Sequence, residues 1–207
     1  MRRIDQLILS MVSDESLRNA YLKADRAKFL PESSAKFAYD PEFADKPIPI
    51  TDKVNTTALT LGIKMLEYLG LKRGDKVLEV GTGCGYYTAL IAEIVGPENV
   101  TTIEVDPWIA RYAEERLQDL GIKVQIGDGT LGFPGNSPYD KAVIWVALPT
   151  LPCLIYQQLV NGGVLVAPIG TQKTQNLFRV FKADPPRVEK LDSVIFMKAQ
   201  GLCGFYD

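Results

Sequence analysis

Three glycines at alternate positions, Gly81, Gly83 and Gly85, follow directly on the run Val77-Leu-Glu-Val80 and lead into a helical pattern that begins at Tyr86. This arrangement suits a nucleotide-like ligand. Glycines let the backbone come close, and the N-terminus of the next helix offers unpaired N–H groups. The spacing is G-x-G-x-G with tyrosine next, not the G-x-G-x-x-G of dinucleotide sites, which argues against a nicotinamide dehydrogenase. With Glu79 just ahead of the first glycine, the pattern points to S-adenosylmethionine (AdoMet) held by Glu79, Gly81, Thr82, Gly83 and Gly85. The plain alternative is a tight strand-to-helix turn with no ligand.

In a doubly wound sheet, ligands lie outside the carboxyl ends of the strands, so polar residues at those ends are the next candidates. Glu104 closes a second apolar run, and Gly127-Asp128-Gly129 closes a third. Glu104 stands where a carboxylate accepts hydrogen bonds from both hydroxyls of a ribose, and Asp128 where one accepts from an adenine amino group. The competing role for each is a helix cap or a solvated strand end. Asp106 competes for the ribose but precedes Pro107 and reads as a cap.

Composition narrows the chemistry further. The chain has 207 residues, 46% hydrophobic and 23% charged, with a net charge of −2, which describes one ordinary globular domain. Such a balance disfavours a broad nucleic-acid-binding face. Histidine is absent. That removes Ser-His and Cys-His nucleophile pairs, histidine general bases and His-ligated zinc together. Cys84, Cys153 and Cys203 are odd in number and far apart, so reduced thiols, no metal and a cytoplasmic setting are expected. No apolar run reaches the length of a signal peptide or membrane span.

The elements that must position these residues alternate. Two short helices are expected between Arg2 and Ala27, then an irregular loop with Pro31, Pro41 and Pro47, then a helix over Ala58–Leu69 capped by Asn55, Thr56 or Thr57. From Asp75 the periodicity predicts strands at Lys76–Val80, Val100–Val105, Lys123–Ile126, Lys141–Ala147 and Val164–Ile169. Helices are predicted at Tyr86–Val95, Pro107–Leu120 and Pro152–Leu159, and Asn161-Gly-Gly163 as a turn. Two further strands, about Asn176–Lys182 and Asp192–Met197, flank Pro185-Pro186 and run antiparallel. The fold class is therefore α/β: a Rossmann-like, doubly wound, mainly parallel sheet with C-terminal antiparallel strands and an N-terminal helical extension. Within one domain, residues 1–57 form the helices and a substrate-side loop, 58–170 the AdoMet-binding core and 171–207 the last strands. Trp108 and Trp145 read as packing residues, and Tyr86 as either a pocket wall or core.

Val77 to Ala92, the segment Val124-Gln-Ile-Gly-Asp-Gly-Thr-Leu-Gly-Phe-Pro134, Pro138-Tyr-Asp140 and Gln158 to Gly170 together resemble the protein-L-isoaspartate O-methyltransferase family. The likeness extends upstream to Arg26-Ala-Lys-Phe-Leu-Pro31 and Ala38-Tyr-Asp40. It implies a class I AdoMet-dependent methyltransferase that methylates the free α-carboxylate of L-isoaspartyl residues in damaged proteins or peptides. One segment departs from the pattern. The family usually has Gly-Gln-Thr-Ile-Ser where this chain has Lys53-Val-Asn-Thr-Thr57, so Thr57 stands at the serine's place while the glycine and glutamine are gone.

An α-carboxylate is ionised near neutral pH and serves as its own nucleophile, so the implied reaction needs no general base and suits a chain without histidine. The enzyme's task is then positioning. Thr57 and Asn55 are expected to donate hydrogen bonds to the substrate carboxylate, with help from backbone near Val146-Ala147-Leu148-Pro149; Thr57 as a mere helix cap is the alternative. Two other functions stay open: the same fold acting on a small molecule, RNA or another side chain, and a binding or scaffold protein without activity.

Overall fold

The computed structural model describes residues 2–206. Two short helices open the chain, α1 (Arg3–Met11) and α2 (Glu15–Lys23), separated where Val12 turns extended and the Asp14 carboxylate accepts from Leu17 N at 2.8 Å. The buried faces of α1 and α2 meet through the Tyr21 hydroxyl, which donates to Asp5 at 2.9 Å. The expected irregular loop contains 3-10 turns and one short helix, α3 (Glu32–Ala35). Helix α4 (Leu59–Leu69) buries Leu59, Ile63, Leu66 and Leu69, and ends at Gly70, whose φ of +63° permits the left-handed cap.

Strands β1 (Val77–Val80), β2 (Val100–Glu104), β3 (Val124–Ile126), β4 (Tyr139–Ile144), β5 (Leu159–Gly170), β6 (Gln175–Phe181) and β7 (Arg187–Val194) form one sheet in the order β3-β2-β1-β4-β5-β6-β7. The first five are parallel and the last two antiparallel, as the periodicity predicts. Helices α5 (Tyr86–Val95) and α6 (Pro107–Leu117) connect the first three strands, and α7 (Cys153–Gln157) precedes β5. All four residues of β1 are buried. Val77 belongs to the core under the helices and Leu78 and Val80 to the core on the other face. Each fully buried Leu or Ile contributes about 1.5–3 kcal/mol, so this central strand is the fixed point of the molecule.

Several boundaries differ from expectation. Asn161-Gly-Gly163 is no turn: it lies inside β5, where Gly162 at φ +79° and a register shift against β4 make a bulge. Strand β7 begins at Arg187 rather than Asp192, because an exposed edge strand carries charges where a buried one carries apolar residues. Strand β4 stops at Ile144, and the helix predicted over Pro152–Leu159 keeps only Cys153–Gln157. Among the described residues no helix is long and apolar enough to cross a membrane.

Candidate active site

The glycine turn hangs from β2. Gly81 N donates to the Ile103 carbonyl at 2.8 Å, and the turn closes with Gly85 N on the Thr82 carbonyl at 3.0 Å. Gly81, Gly83 and Gly85 have φ of +90°, +57° and +86°, a region side chains rarely enter. At Gly85 a side chain would also press on Leu117 at 3.2 Å, so this glycine serves the packing of α5 on α6 and does not line the cavity.

Glu104 faces the turn from the end of β2. Its carboxylate accepts from Gly83 N at 3.1 Å, Val105 N at 2.9 Å and Asp106 N at 3.1 Å. Burial pushes its pKa up against those three bonds. Next to it, the Asp106 carboxylate caps α6 by accepting from Trp108 N at 2.7 Å and Ile109 N at 3.2 Å, as its place before Pro107 predicts.

Glu79 lies elsewhere than the sequence suggests. It shares the Val77 face of β1, is wholly buried and sits behind the turn rather than on the cavity wall. Its carboxylate accepts from Thr88 at 2.5 Å, Thr102 at 2.7 Å and Trp145 Nε1 at 2.8 Å. Burial dominates these contacts and pushes its pKa up to about 7. Glu79 therefore ties α5, β2 and Trp145 together behind the turn.

The opposite wall comes from a hairpin over residues 48–56, with Ile50 N on the Val54 carbonyl at 2.8 Å and Thr56 N on the Ile48 carbonyl at 2.8 Å. The Thr56 hydroxyl accepts from Ile48 N at 3.3 Å and from the buried Arg26 guanidinium at 3.4 Å. Asn55 and Thr57 both line the cavity. The expected cap by Asn55, Thr56 or Thr57 is not made: the N-cap of α4 is Ala58, with no side-chain bond. Tyr87 joins the two walls by donating to the Thr57 and Ala58 carbonyls, each at 3.1 Å, while its ring stacks on Trp145 at 4.6 Å.

Between these walls lies a cavity of about 420 Å³. Gly81, Thr82, Gly83, Glu104, Gly129, Asn55 and Thr57 line it, whereas Gly127 and Asp128 do not. The Asp128 carboxylate instead accepts from Thr130 N at 2.9 Å and Leu202 N at 2.7 Å. Although burial acts to raise its pKa, the Thr130 hydroxyl and the Leu202 amide outweigh it and hold the group below its ordinary range.

Sequence reasoning missed several wall residues. Trp145 reads from the sequence as packing and Tyr87 carries no signal of its own there, while Tyr86, for which pocket wall and core were both open, is buried in the core. Trp108, also read as packing, is 56% exposed and stacks on Tyr112. Met197, Lys198 and Gln200 reach the cavity from the C-terminal segment, which bridges to Ala147. Cys84 lines it too, and burial pushes its thiol pKa up, away from the reactive thiolate.

Residues 3–202 match the family described as protein-L-isoaspartate(D-aspartate) O-methyltransferase. A protein-L-isoaspartate O-methyltransferase of Ignicoccus hospitalis is 37% identical over 203 residues, covering 93% of this chain and 94% of its own. A relative in Archaeoglobus fulgidus, protein-L-isoaspartate O-methyltransferase 1, is 38% identical over 97% of this chain and 91% of that one. A solved protein-L-isoaspartate O-methyltransferase superposes with a TM-score of 0.87 at 26% identity, over 98% of this chain and 66% of the other. A Plasmodium falciparum chain described as a β-aspartate methyltransferase, in complex with S-adenosyl-L-homocysteine, gives 0.81 at 21% identity over 97% and 99%, a likeness of fold alone.

Proposed function

Since the chain belongs to the protein-L-isoaspartate O-methyltransferase family, we propose a division of labour in which the glycine-turn wall holds the methyl donor and the 48–57 wall holds the acceptor. The chain methylates the free α-carboxylate of L-isoaspartyl residues, with AdoMet as donor.

The residues present fit AdoMet. A cavity of about 420 Å³ falls within the range of small-ligand pockets. A carboxylate and left-handed glycines share its wall, and a side chain at Gly81 would stand 3.5 Å from Trp145 and narrow it. Glu104 would take the ribose hydroxyls, with the backbone of Gly81, Thr82 and Gly83 around the rest. When bound, AdoMet supplies an electrophilic methyl group, which the acceptor oxygen takes as the S–CH3 bond breaks, leaving an uncharged ester and an uncharged thioether.

The chain's own residues then do two things. Asn55 and Thr57 orient the acceptor carboxylate, whose charge already makes it nucleophilic, so no proton has to be removed. Tyr87 and Trp145, 7% and 8% exposed, present a mostly apolar wall that limits water around it.

The observation that carries this reading is that one cavity is lined both by Glu104 with Gly83 and by Asn55 with Thr57. Methyl transfer from labelled AdoMet to paired peptides differing only in Asp against isoAsp tests it. Label should enter the isoaspartyl peptide alone and leave as methanol in mild alkali. Alkali-stable label, or equal labelling of both peptides, overturns the acceptor assignment.

A further inference from the structure

Lys53 occupies the tip of the 48–56 hairpin and lines the cavity. Its backbone is fixed. Lys53 N donates to the Thr51 hydroxyl at 3.2 Å and Val54 N to the same oxygen at 3.0 Å, while Thr51 N returns to the Val54 carbonyl at 3.0 Å. The residue is exposed, and no ion pair between described residues includes it.

Charge is unevenly spread over the cavity wall. The acids, Glu104 at the end of β2 and Asp106 just beyond it, accept from backbone amides there; the bases, Lys53 and Lys198, come from the hairpin and the C-terminal segment. Asp52 shares the hairpin tip but does not line the cavity. An anionic acceptor is therefore repelled from the Glu104 end and drawn to the hairpin. Asn55 and Thr57, the residues assigned to orient it, carry no charge to balance its own.

We propose that Lys53 is the specificity-determining residue for the acceptor, its ammonium recognising the negative charge of the free α-carboxylate at the cavity mouth. This rests on the acceptor assignment made above. The contact sorts substrate from product as well, since the carboxylate enters charged and departs as a neutral methyl ester, which the ammonium no longer holds.

The test compares an isoaspartyl peptide with its α-carboxamide counterpart, which keeps the shape and lacks the charge. With S-adenosylhomocysteine present, calorimetry on the wild-type chain should show about fivefold tighter binding of the carboxylate, the scale of one partly exposed ion pair. Lys53→Met should abolish that preference and Lys53→Arg restore it, with AdoMet affinity unchanged in both. The KM for the isoaspartyl peptide should rise about fivefold in Lys53→Met, with kcat within about twofold, and the salt dependence of kcat/KM should flatten. A Lys53→Met chain that keeps the preference and the salt dependence overturns this inference alone. A wild-type chain that binds AdoMet yet leaves the isoaspartyl peptide unmethylated overturns the acceptor assignment and this inference with it.

Discussion

The hydroxyl of Tyr87 stands 3.1 Å from the carbonyl oxygen of Thr57, so the helix that follows the glycine turn is tied to the segment proposed to face the acceptor. The tie is sterically demanding. Gly62 of α4 lies under the tyrosine ring, and a Cβ there would fall 2.1 Å from Tyr87 Cζ. The two walls of the cavity thus share one phenol.

Tyr87→Phe removes the tie and keeps the ring stacked on Trp145. Stability should fall by about 1 kcal/mol, the worth of one buried hydrogen bond. The KM for an isoaspartyl peptide should rise while AdoMet affinity stays within about twofold. Urea unfolding, calorimetry and steady-state kinetics check this.

Thr57→Ala separates positioning of the acceptor from a structural part. The N-cap of α4 makes no side-chain bond, so the melting temperature should hardly move. Methyl transfer should drop about tenfold or more, as expected for the loss of a well-placed hydrogen bond, with AdoMet binding intact. Impaired folding with normal turnover per folded molecule would return Thr57 to a structural part.

Glu79 gives the pH dependence. Its carboxyl holds a proton more tightly when folded, with a pKa pushed up to about 7 by burial. Its contribution to stability is fully present below the unfolded value near 4.5 and is lost as pH rises through about 7. The difference across that window is about 3 kcal/mol. Glu79→Gln should flatten unfolding free energy between about pH 5 and about pH 8. Glu79→Leu leaves Trp145 Nε1–H, Thr88 and Thr102 without their acceptor and should cost about 3 kcal/mol or more.

Asp128→Ala probes the C-terminal segment. Losing the acceptor for Leu202 N and Thr130 N should speed hydrogen exchange at Leu202 and Cys203 and lower stability by about 1–2 kcal/mol. Because the folded carboxyl is held below its ordinary range, the wild-type contact is present above about pH 4 and is lost as pH falls through the folded value. Calorimetry with AdoMet on the same variant shows whether the adenine also uses this carboxylate.

What the sequence discloses here is whatever is local. The strand-turn-helix around Gly83 and the order of parallel strands follow from periodicity and glycine spacing over a few residues. Asp128 meets Leu202 across 74 positions and Glu79 meets Trp145 across 66, and no spacing rule reaches that far. Pleat parity could have placed Glu79, since it shares a face with Val77 and not with Leu78. Gly162 was misread for another reason: a bulge and a turn ask the same left-handed backbone of glycine.

Lys198 forms a parallel bridge with Ala147, as Ala147 N donates to the Met197 carbonyl at 2.8 Å and Ala199 N to the Ala147 carbonyl at 2.9 Å. The last strand of the sheet ends at Val194, and the panel that Met197, Lys198 and Gln200 supply to the cavity comes after it. That wall of the cavity belongs to no strand of the sheet, so it can loosen locally while all seven strands stay paired.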